Sequence, residues 1–371
     1  MSARRSLAAA LALAALLAGC SSDKPKPAEL ESITPQIGGR QVWQSRIDSV
    51  KFPLAVAARA DRFVVAGTDG TVLALAADDG RELWRAQVGA PLSAGVGSDG
   101  RYAAVVTQNN EVVALDAGRE LWRKPLPSRV TTAPLVAGER VFVMGVDRAV
   151  HAFDVLDGRK LWTLQRSGEA LTLAQRGVVM AYKDTLVVGQ GARLTGVDPL
   201  RGTVRWEAAV ATPRGTNEVE RLADLVGPAL RVGETICARA FQSAVGCVNA
   251  ERGGLLWTKN VGGGDGVGGD EQFVFGADAS GRITAWRTAS GEVAWTNERL
   301  LHRELSAPLS AGKSVVFGDL EGYVHFLARD TGTTQLRLPT DGSPVVAAPV
   351  IAGKTIAVVT RNGGVFGFRP E

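Results

Sequence analysis

The sequence has few of the residues that hydrolases and metalloenzymes place at their sites. Among its 371 residues are three histidines and three cysteines. His151, His302 and His325 lie in separate parts of the chain, with no cysteine or carboxylate at metal-ligand spacing, so we predict no metal site. No Gly-x-Ser-x-Gly elbow occurs, and the glycine-rich run at 262–269 lacks the Lys-Ser/Thr ending of a phosphate loop. These absences argue against a hydrolase or a nucleotide-binding enzyme.

The sequence also lacks a strong excess of charge of either sign. Forty-two Lys and Arg stand against 38 Asp and Glu, a net charge of +4, and the basic residues are scattered along the chain. A nucleic-acid partner is therefore not predicted. Hydrophobic residues make up 45% of the chain, which is typical of a globular protein. The 44 glycines and 16 prolines favour many turns between short strands.

The N-terminal sequence is typical of a targeting segment. Two arginines precede an apolar run that ends in Leu17-Ala18-Gly19 before Cys20. The run is shorter than the roughly 20 apolar residues that span a bilayer, so we interpret residues 1–19 as a cleaved signal peptide. The ending resembles a bacterial lipobox, which implies lipidation of Cys20 and, because Ser21 follows, anchoring to the periplasmic face of the outer membrane. Residues 20–39 are predicted to be the lipidated cysteine and a flexible tether.

An internal repeat predicts the architecture. Tryptophans recur at intervals of 38 to 51 residues. Each stands at the end of a sequence motif, here called a phrase, that consists of two β-rich runs joined by an Asp-Gly or similar turn. The repeated residues are Trp43, Trp84, Trp122, Trp162, Trp206, Trp257 and Trp295. Leu336 occupies the next place in the series. Two further strand-like pieces precede each phrase, which gives four strands per repeat and a β-propeller blade.

The repeat predicts an all-β fold, an eight-bladed propeller of four-stranded antiparallel blades over residues 40–371. We expect the tryptophans to fill the wedges between neighbouring blades. The last strands, near 356–360 and 364–368, have no closing phrase after them. We expect the strand around Trp43 to join them, so that pairing of the N- and C-terminal strands closes the ring and removes the edges that an unclosed blade would expose.

The phrase from Gly70 to Trp84 resembles the tryptophan-docking repeat of eight-bladed pyrroloquinoline-quinone dehydrogenases. Those enzymes also share a disulfide between adjacent cysteines and a Glu/Asn/Asp calcium site at the axis. Here the cysteines are Cys20, Cys237 and Cys247, with no adjacent pair. We therefore predict that the chain is not an enzyme and carries no cofactor.

Cys237 and Cys247 flank a segment that reads as one hairpin centred near Gln242. Folding back at that point would bring the two thiols close together. In an oxidising compartment they form either a disulfide or two buried free thiols, and the sequence leaves both open.

The lipobox, tether and non-catalytic propeller together resemble the BamB family, the lipoprotein subunits of the outer-membrane β-barrel assembly machinery. Phrases outside the generic repeat strengthen the resemblance, such as those at 218–224, 300–303 and 321–325. The resemblance implies a scaffold that binds the periplasmic POTRA domains of BamA and assists insertion of β-barrel proteins. A further hypothesis, separate from the resemblance, is that exposed strand edges offer backbone pairing to unfolded outer-membrane proteins. The alternative is a degenerate quinoprotein or a periplasmic propeller that binds a small ligand.

The resemblance also implies where BamA binds. In the family one interblade loop carries a Leu-x-Leu-Arg phrase, matched here by Leu171 and Leu173, with Ala174 at the arginine position and Arg176 as a candidate replacement. A second loop carries two aspartates, of which Asp224 matches the first and Val226 stands near the second. The two leucines are expected to form an apolar contact and Asp224 a charged rim.

Overall fold

The structure is a computed structural model that describes residues 25–166 and 171–370. The predicted signal peptide and Cys20 lie outside the described residues. Thirty-two strands form eight antiparallel sheets of four strands each, arranged as the blades of a propeller. The predicted fold class is confirmed.

The strands of each blade run in chain order from the axis outwards, and blade 8 is completed by the first strand of the chain, β1 (Gly39–Arg46). Blades 1 and 2 contain β2 (Ala57–Arg59), β3 (Arg62–Ala66), β4 (Thr71–Ala76), β5 (Glu82–Gln87), β6 (Gly97–Ser98), β7 (Tyr102–Val106), β8 (Glu111–Asp116) and β9 (Arg119–Pro125). Blades 3 and 4 contain β10 (Leu135–Ala137), β11 (Arg140–Met144), β12 (Val150–Asp154), β13 (Lys160–Leu164), β14 (Val179–Tyr182), β15 (Thr185–Gln190), β16 (Arg193–Val197) and β17 (Val204–Ala209).

Blades 5 and 6 contain β18 (Leu225–Val232), β19 (Thr235–Ala240), β20 (Ala244–Asn249), β21 (Gly254–Lys259), β22 (Gly268–Gly269), β23 (Phe273–Ala277), β24 (Ile283–Arg287) and β25 (Val293–Asn297). Blades 7 and 8 contain β26 (Leu309–Ala311), β27 (Ser314–Gly318), β28 (Tyr323–Ala328), β29 (Thr334–Pro339), β30 (Val350–Ala352), β31 (Thr355–Val359) and β32 (Gly364–Pro370). Strand β1 pairs with β32 from Gly39 opposite Pro370 to Arg46 opposite Gly364. The two chain ends thus close the ring, as predicted.

The core consists of a series of layers between facing blades. One layer, for example, joins Val64 and Val72 of blade 1 to Val105 and Val113 of blade 2. The middle strands are buried on both faces because each blade is covered by a neighbour on either side, as in β4, where five of six residues are buried. This burial explains why these strands are nearly continuous apolar runs.

The alternation of strand direction gives the ring two distinct faces. The connections between blades and the turns between second and third strands share one face, here called the connector face. The turns between first and second strands and between third and fourth strands lie on the opposite face, here called the turn face. The face on which a residue lies therefore follows from its place within the repeat.

The repeated tryptophans lie between blades. Each indole packs on the glycine of the third-to-fourth-strand turn in the next blade; for Gly158, an added Cβ would lie 2.6 Å from Cδ2 of Trp122. That glycine has a φ of +70°, so it serves both the turn and the close approach of the ring. The indole Nε1 of Trp122 donates to the Val155 carbonyl at 2.8 Å. The same packing on a turn glycine occurs at Trp43, Trp84, Trp162, Trp206, Trp257 and Trp295.

The segment predicted to be a flexible tether differs from that expectation in its described part. Residues 25–38 lie along the propeller, with Leu30 and Ile37 packed against two core layers. Strand β1 begins at Gly39, one residue before the predicted boundary. The physical reason is that this segment carries apolar side chains and backbone groups that blades 6 and 7 can bind.

Candidate functional site

The residues predicted to contact a partner lie on two neighbouring connections of the connector face. Leu171, Leu173 and Arg176 belong to the connection from blade 3 to blade 4, and Asp224 ends the connection from blade 4 to blade 5. The second connection follows β17 and accounts for the long interval between Trp206 and Trp257. Because successive blades are adjacent in the ring, their connections meet at the surface.

Asp224 holds the two connections together. One carboxylate oxygen, Oδ2, accepts the Leu173 backbone N–H at 2.9 Å, and the other accepts Arg148 Nη2 at 2.9 Å. Arg148 Nη2 also lies 3.2 Å from the Leu171 carbonyl oxygen, to which it donates. The Arg148 and Asp224 side chains are 17% and 15% exposed, so this pair is shielded from much of the solvent that weakens surface ion pairs.

Arg148 is a residue that sequence reasoning missed. It lies in the turn between β11 and β12 of blade 3, at a φ of +61°, and the Gln190 amide donates to its carbonyl at 2.7 Å. In the sequence it is one of many arginines that follow an aspartate in a turn. No sequence signal separates it from the others, because its role depends on a partner 76 residues away.

The two leucines differ in exposure. Leu171 is 37% exposed, whereas Leu173 is half-buried beside the residues that hold the loops. Ala174 is exposed at the tip, and Val226, the residue near the second expected aspartate, is buried in β18. The apolar part of the predicted site is therefore presented to solvent mainly by Leu171.

Arg176 does not join this group through its side chain. Its guanidinium Nη1 donates to the Leu54 carbonyl at 3.0 Å, and its side chain lines the cavity at the mouth of the propeller axis. Burial lowers the pKa of Arg176, while the charge of Asp265 opposes that shift. The arginine that the structure places beside Leu171 and Asp224 is Arg148 and not Arg176.

The axial cavity opens on the connector face and has a volume of about 970 Å³. Asp265 lines it, and burial raises the pKa of that carboxyl. Nearby Arg239 is fully buried and donates to the carbonyls of Val261, Gly262 and Ala277. Burial lowers the pKa of Arg239 to about 10. Arg239 thus joins the connection between blades 5 and 6 to the end of β23.

The three histidines stay apart. His151 Nδ1 lies 3.0 Å from the Thr163 hydroxyl in blade 3, His302 lines the axial cavity, and His325 Nε2 lies 2.9 Å from Asp319 Oδ2 in blade 7. Within the described ranges, no three His, Cys, Asp or Glu side chains are grouped closely enough to hold a metal ion. Those same ranges contain no helix that has the length and apolarity needed to cross a membrane.

Cys237 and Cys247 lie directly opposite each other in β19 and β20. The structure joins them as a disulfide, with both residues fully buried beside Trp257 and Trp286. The sequence had left this pairing open against two free thiols. The bond is a cross-link between two strands of blade 5.

The geometry shows that the protein is an eight-bladed propeller built on tryptophan-docking repeats. Two joined connections, from blade 3 to blade 4 and from blade 4 to blade 5, lie on its connector face. Comparison with known proteins then gives the family. A family profile described as outer membrane protein assembly factor BamB matches residues 33–92 and 68–297. The chain belongs to the BamB family.

Individual relatives agree with this assignment. The chain is 36% identical over 363 residues to outer membrane protein assembly factor BamB of Burkholderia pseudomallei, covering 96% of this chain and 95% of that protein. It is 34% identical to the protein of the same name from Bordetella pertussis, covering 94% and 92%. The crystal structure of BamB from Moraxella catarrhalis superposes with a TM-score of 0.80 at 23% identity, covering 89% of this chain and 99% of that one.

The fold is also similar to that of an enzyme. A quinohemoprotein alcohol dehydrogenase from Pseudomonas putida HK5 superposes with a TM-score of 0.70 at 14% identity, covering 91% of this chain and 78% of that one. At this identity the similarity concerns the fold alone. It agrees with the resemblance of the repeats.

Proposed function

We propose that the protein is a non-catalytic scaffold of the outer-membrane β-barrel assembly machinery, anchored by lipidated Cys20 on the periplasmic face of the outer membrane. In this role it binds the POTRA domains of BamA. Family membership and the relatives named as assembly factors support this proposal. The rigid ring would hold the periplasmic domains in one arrangement during insertion.

The main support for this binding site is that Asp224 joins the connection between blades 3 and 4 to the connection between blades 4 and 5. Arg148 and Asp224 fix the loop backbone, so that exposed Leu171 is presented on an ordered surface. Ordered apolar anchors surrounded by polar groups carry most of the energy of protein interfaces. We therefore assign Leu171 the contact with BamA, and Arg148 and Asp224 the positioning of the loops.

Affinity capture from detergent-solubilised outer membranes tests this site. Leu171→Asp is expected to abolish co-purification of BamA, because it places a charge at the apolar centre of the contact; the double change with Leu173→Asp is expected to do the same. The matched control is Leu156→Asp, which alters a 60% exposed leucine on the turn face of blade 3. Undiminished capture with Leu171→Asp, or equal loss with Leu156→Asp, would remove the site from the proposal.

A second candidate function rests on the axial cavity of about 970 Å³, a volume that could hold a small ligand. Its lining combines Lys51, Arg176 and Arg361 with Asp265, Asp278 and Glu304, so the charges are balanced. Pyrroloquinoline quinone and calcium added to the purified protein test this alternative. We expect no change in the absorbance of the cofactor; a saturable change would favour a ligand-binding propeller.

A further inference from the structure

The N-terminal segment is bound to the connector face at its first described residues. Pro25 lines the mouth of the axial cavity. Three residues later, the Ala28 N–H donates to the Leu301 carbonyl at 2.9 Å, and Arg303 Nη1 donates to the Ala28 carbonyl at 2.8 Å. Leu301 and Arg303 belong to the connection between blades 6 and 7. The chain therefore starts its described course at the axis of the connector face.

Arg303 is fixed by blade 7 in the orientation that binds Ala28. The Arg303 side chain is 3% exposed, its Nε donates to Asp319 Oδ2 at 2.7 Å, and Nη2 pairs with Glu321. His325 Nε2 contacts the same Asp319 oxygen, and both residues are fully buried. Burial alone would raise the pKa of Asp319, but the hydrogen bonds from His325 and Arg303 outweigh burial and hold it below its ordinary value. This hydrogen-bonded cluster holds the Arg303 guanidinium in the position from which it donates to the Ala28 carbonyl.

The segment then crosses to the opposite face along blade 7. Glu31 pairs with Arg299 at 2.9 Å, and its carbonyl accepts Arg337 Nη1 at 3.1 Å. Leu30 packs on the core layer between blades 6 and 7, and the Gln36 N–H donates to the Gln335 carbonyl at 2.8 Å. Strand β1 starts at the turn face, because Gly39 pairs with Pro370 at the far end of β32. Residues 25–37 are called the strap below.

The strap decides on which face the anchored end of the chain emerges. With the strap bound, only five peptide units separate Cys20 from Pro25, a reach of at most about 18 Å. With the strap released, the free chain would leave the propeller at Gly39 on the turn face, with a reach of at most about 68 Å. Binding of the strap thus moves the exit point from one face of the ring to the other and shortens the tether.

We propose that the strap turns the connector face of the propeller towards the outer-membrane surface. The inference rests on the proposed lipid anchor at Cys20. Its consequence is that the Leu171 loops and the membrane lie on the same side of the ring. A partner bound at Leu171 would then occupy the space between the propeller and the bilayer, where the periplasmic domains of a barrel-inserting subunit are expected.

Energy transfer to the membrane measures this orientation. The acylated protein carries one fluorescent donor at Ala279→Cys or at Ala289→Cys and is reconstituted into vesicles with acceptor-labelled lipid headgroups. Both alanines are exposed turn residues of blade 6, the first on the connector face and the second on the turn face, about 25 Å apart along β24. We expect roughly twofold higher transfer from position 279. Equal transfer, or higher transfer from position 289, would overturn the proposal.

Variants that release the strap provide a second test of the proposal. Leu30→Asp removes the apolar contact at the edge of the propeller, and Ser32→Asp adds the same charge at an exposed strap residue. Loss of the leucine contact should favour the released strap by about tenfold, seen as faster cleavage after Glu29 and Glu31 by a glutamate-specific protease. Leu30→Asp should also shrink the difference between positions 279 and 289, and Ser32→Asp should not. Wild-type protein that is cleaved as fast as Leu30→Asp would show that the strap is not bound.

Metabolic labelling with palmitate separates failure of the anchor from failure of the orientation. Without incorporation that depends on Cys20, and without binding to vesicles, the proposed anchoring is wrong and this inference falls with it. With incorporation and equal transfer from the two faces, the anchor stands and the orientation alone is wrong.

Discussion

Seven of the eight junctions between neighbouring blades are filled by an indole, and the eighth is not. At the junction of blades 8 and 1, Trp43 lies against Gly80 and donates to the Ala77 carbonyl at 3.0 Å. At the junction of blades 7 and 8, Leu336 takes the place of the ring, beside an apolar cavity of about 260 Å³. The cavity is lined by apolar side chains of the two blades and of the strap, among them Ile37, Phe326, Leu336, Ile351, Ile356 and Phe368.

The difference follows from how the ring is closed. Each indole packs on the glycine of a turn between the third and fourth strands of the next blade, and several donate to a carbonyl of that turn. Blade 8 has no such turn, because its third and fourth strands are the two ends of the chain. Leu336 approaches Gly39 instead. The presence of an indole at a junction thus follows from the glycine turn in the next blade, on which the ring packs. It does not follow from the blade whose fourth strand contains the tryptophan.

Removing an indole from a filled junction should have the largest effect. Trp122→Ala deletes a ring that is 8% exposed, together with its hydrogen bond to Val155, and leaves a cavity between blades 2 and 3. We expect a loss of about 3–5 kcal/mol in the free energy of unfolding, measured by urea titration. Trp122→Phe, which keeps an aromatic ring, should lose less than half as much. An effect of Trp122→Ala below 1 kcal/mol would contradict the role given to the indole.

Adding a methyl group to the receiving turn should disturb the junction from the other side. Gly158→Ala places a Cβ 2.6 Å from the Trp122 ring at a φ of +70°, and we expect a loss of about 2–4 kcal/mol. Gly138→Ala is the matched control in blade 3, because its φ is +57° and nothing lies within 4 Å of the added Cβ. The control should cost about 1–2 kcal/mol for the backbone alone. Equal urea midpoints for the two variants would show that the indole contact is not tight.

The disulfide in blade 5 stabilises a single blade, whereas the indoles stabilise the junctions between blades. The Cys237–Cys247 bond closes a loop with a sequence separation of 10 residues, which should stabilise the fold by about 2–3 kcal/mol. The double change Cys237→Ala with Cys247→Ala is expected to lower the urea midpoint accordingly. Thiol labelling of the denatured, unreduced protein followed by mass spectrometry is the check on the bond itself. Alkylation of both cysteines without reductant would mean that they are free thiols.

Properties that repeat along the chain could be predicted from the sequence. The spacing of the tryptophans gave the number of blades and the closure by β1 and β32, and Leu336 marked the junction that differs. Contacts between connections could not be predicted, because they join residues far apart in the chain. Arg148 meets Asp224 across 76 residues, and Arg303 meets Ala28 across 275. Arg176, the candidate replacement for the arginine expected at Ala174, binds the Leu54 carbonyl in the connection before blade 1 instead, a contact that joins residues 122 positions apart.

Filling the eighth junction should have the smallest effect. Leu336→Trp adds a ring to a junction that has a cavity of about 260 Å³, so apolar surface is buried, but no turn is present to accept the indole N–H. Some of the gain is lost because the Leu336 side chain already approaches Gly39 closely. We expect a net stabilisation of about 1 kcal/mol, measured by urea titration. A loss of several kcal/mol would mean that the junction is already fully packed; a gain as large as the loss in Trp122→Ala would mean that the receiving turn contributes nothing.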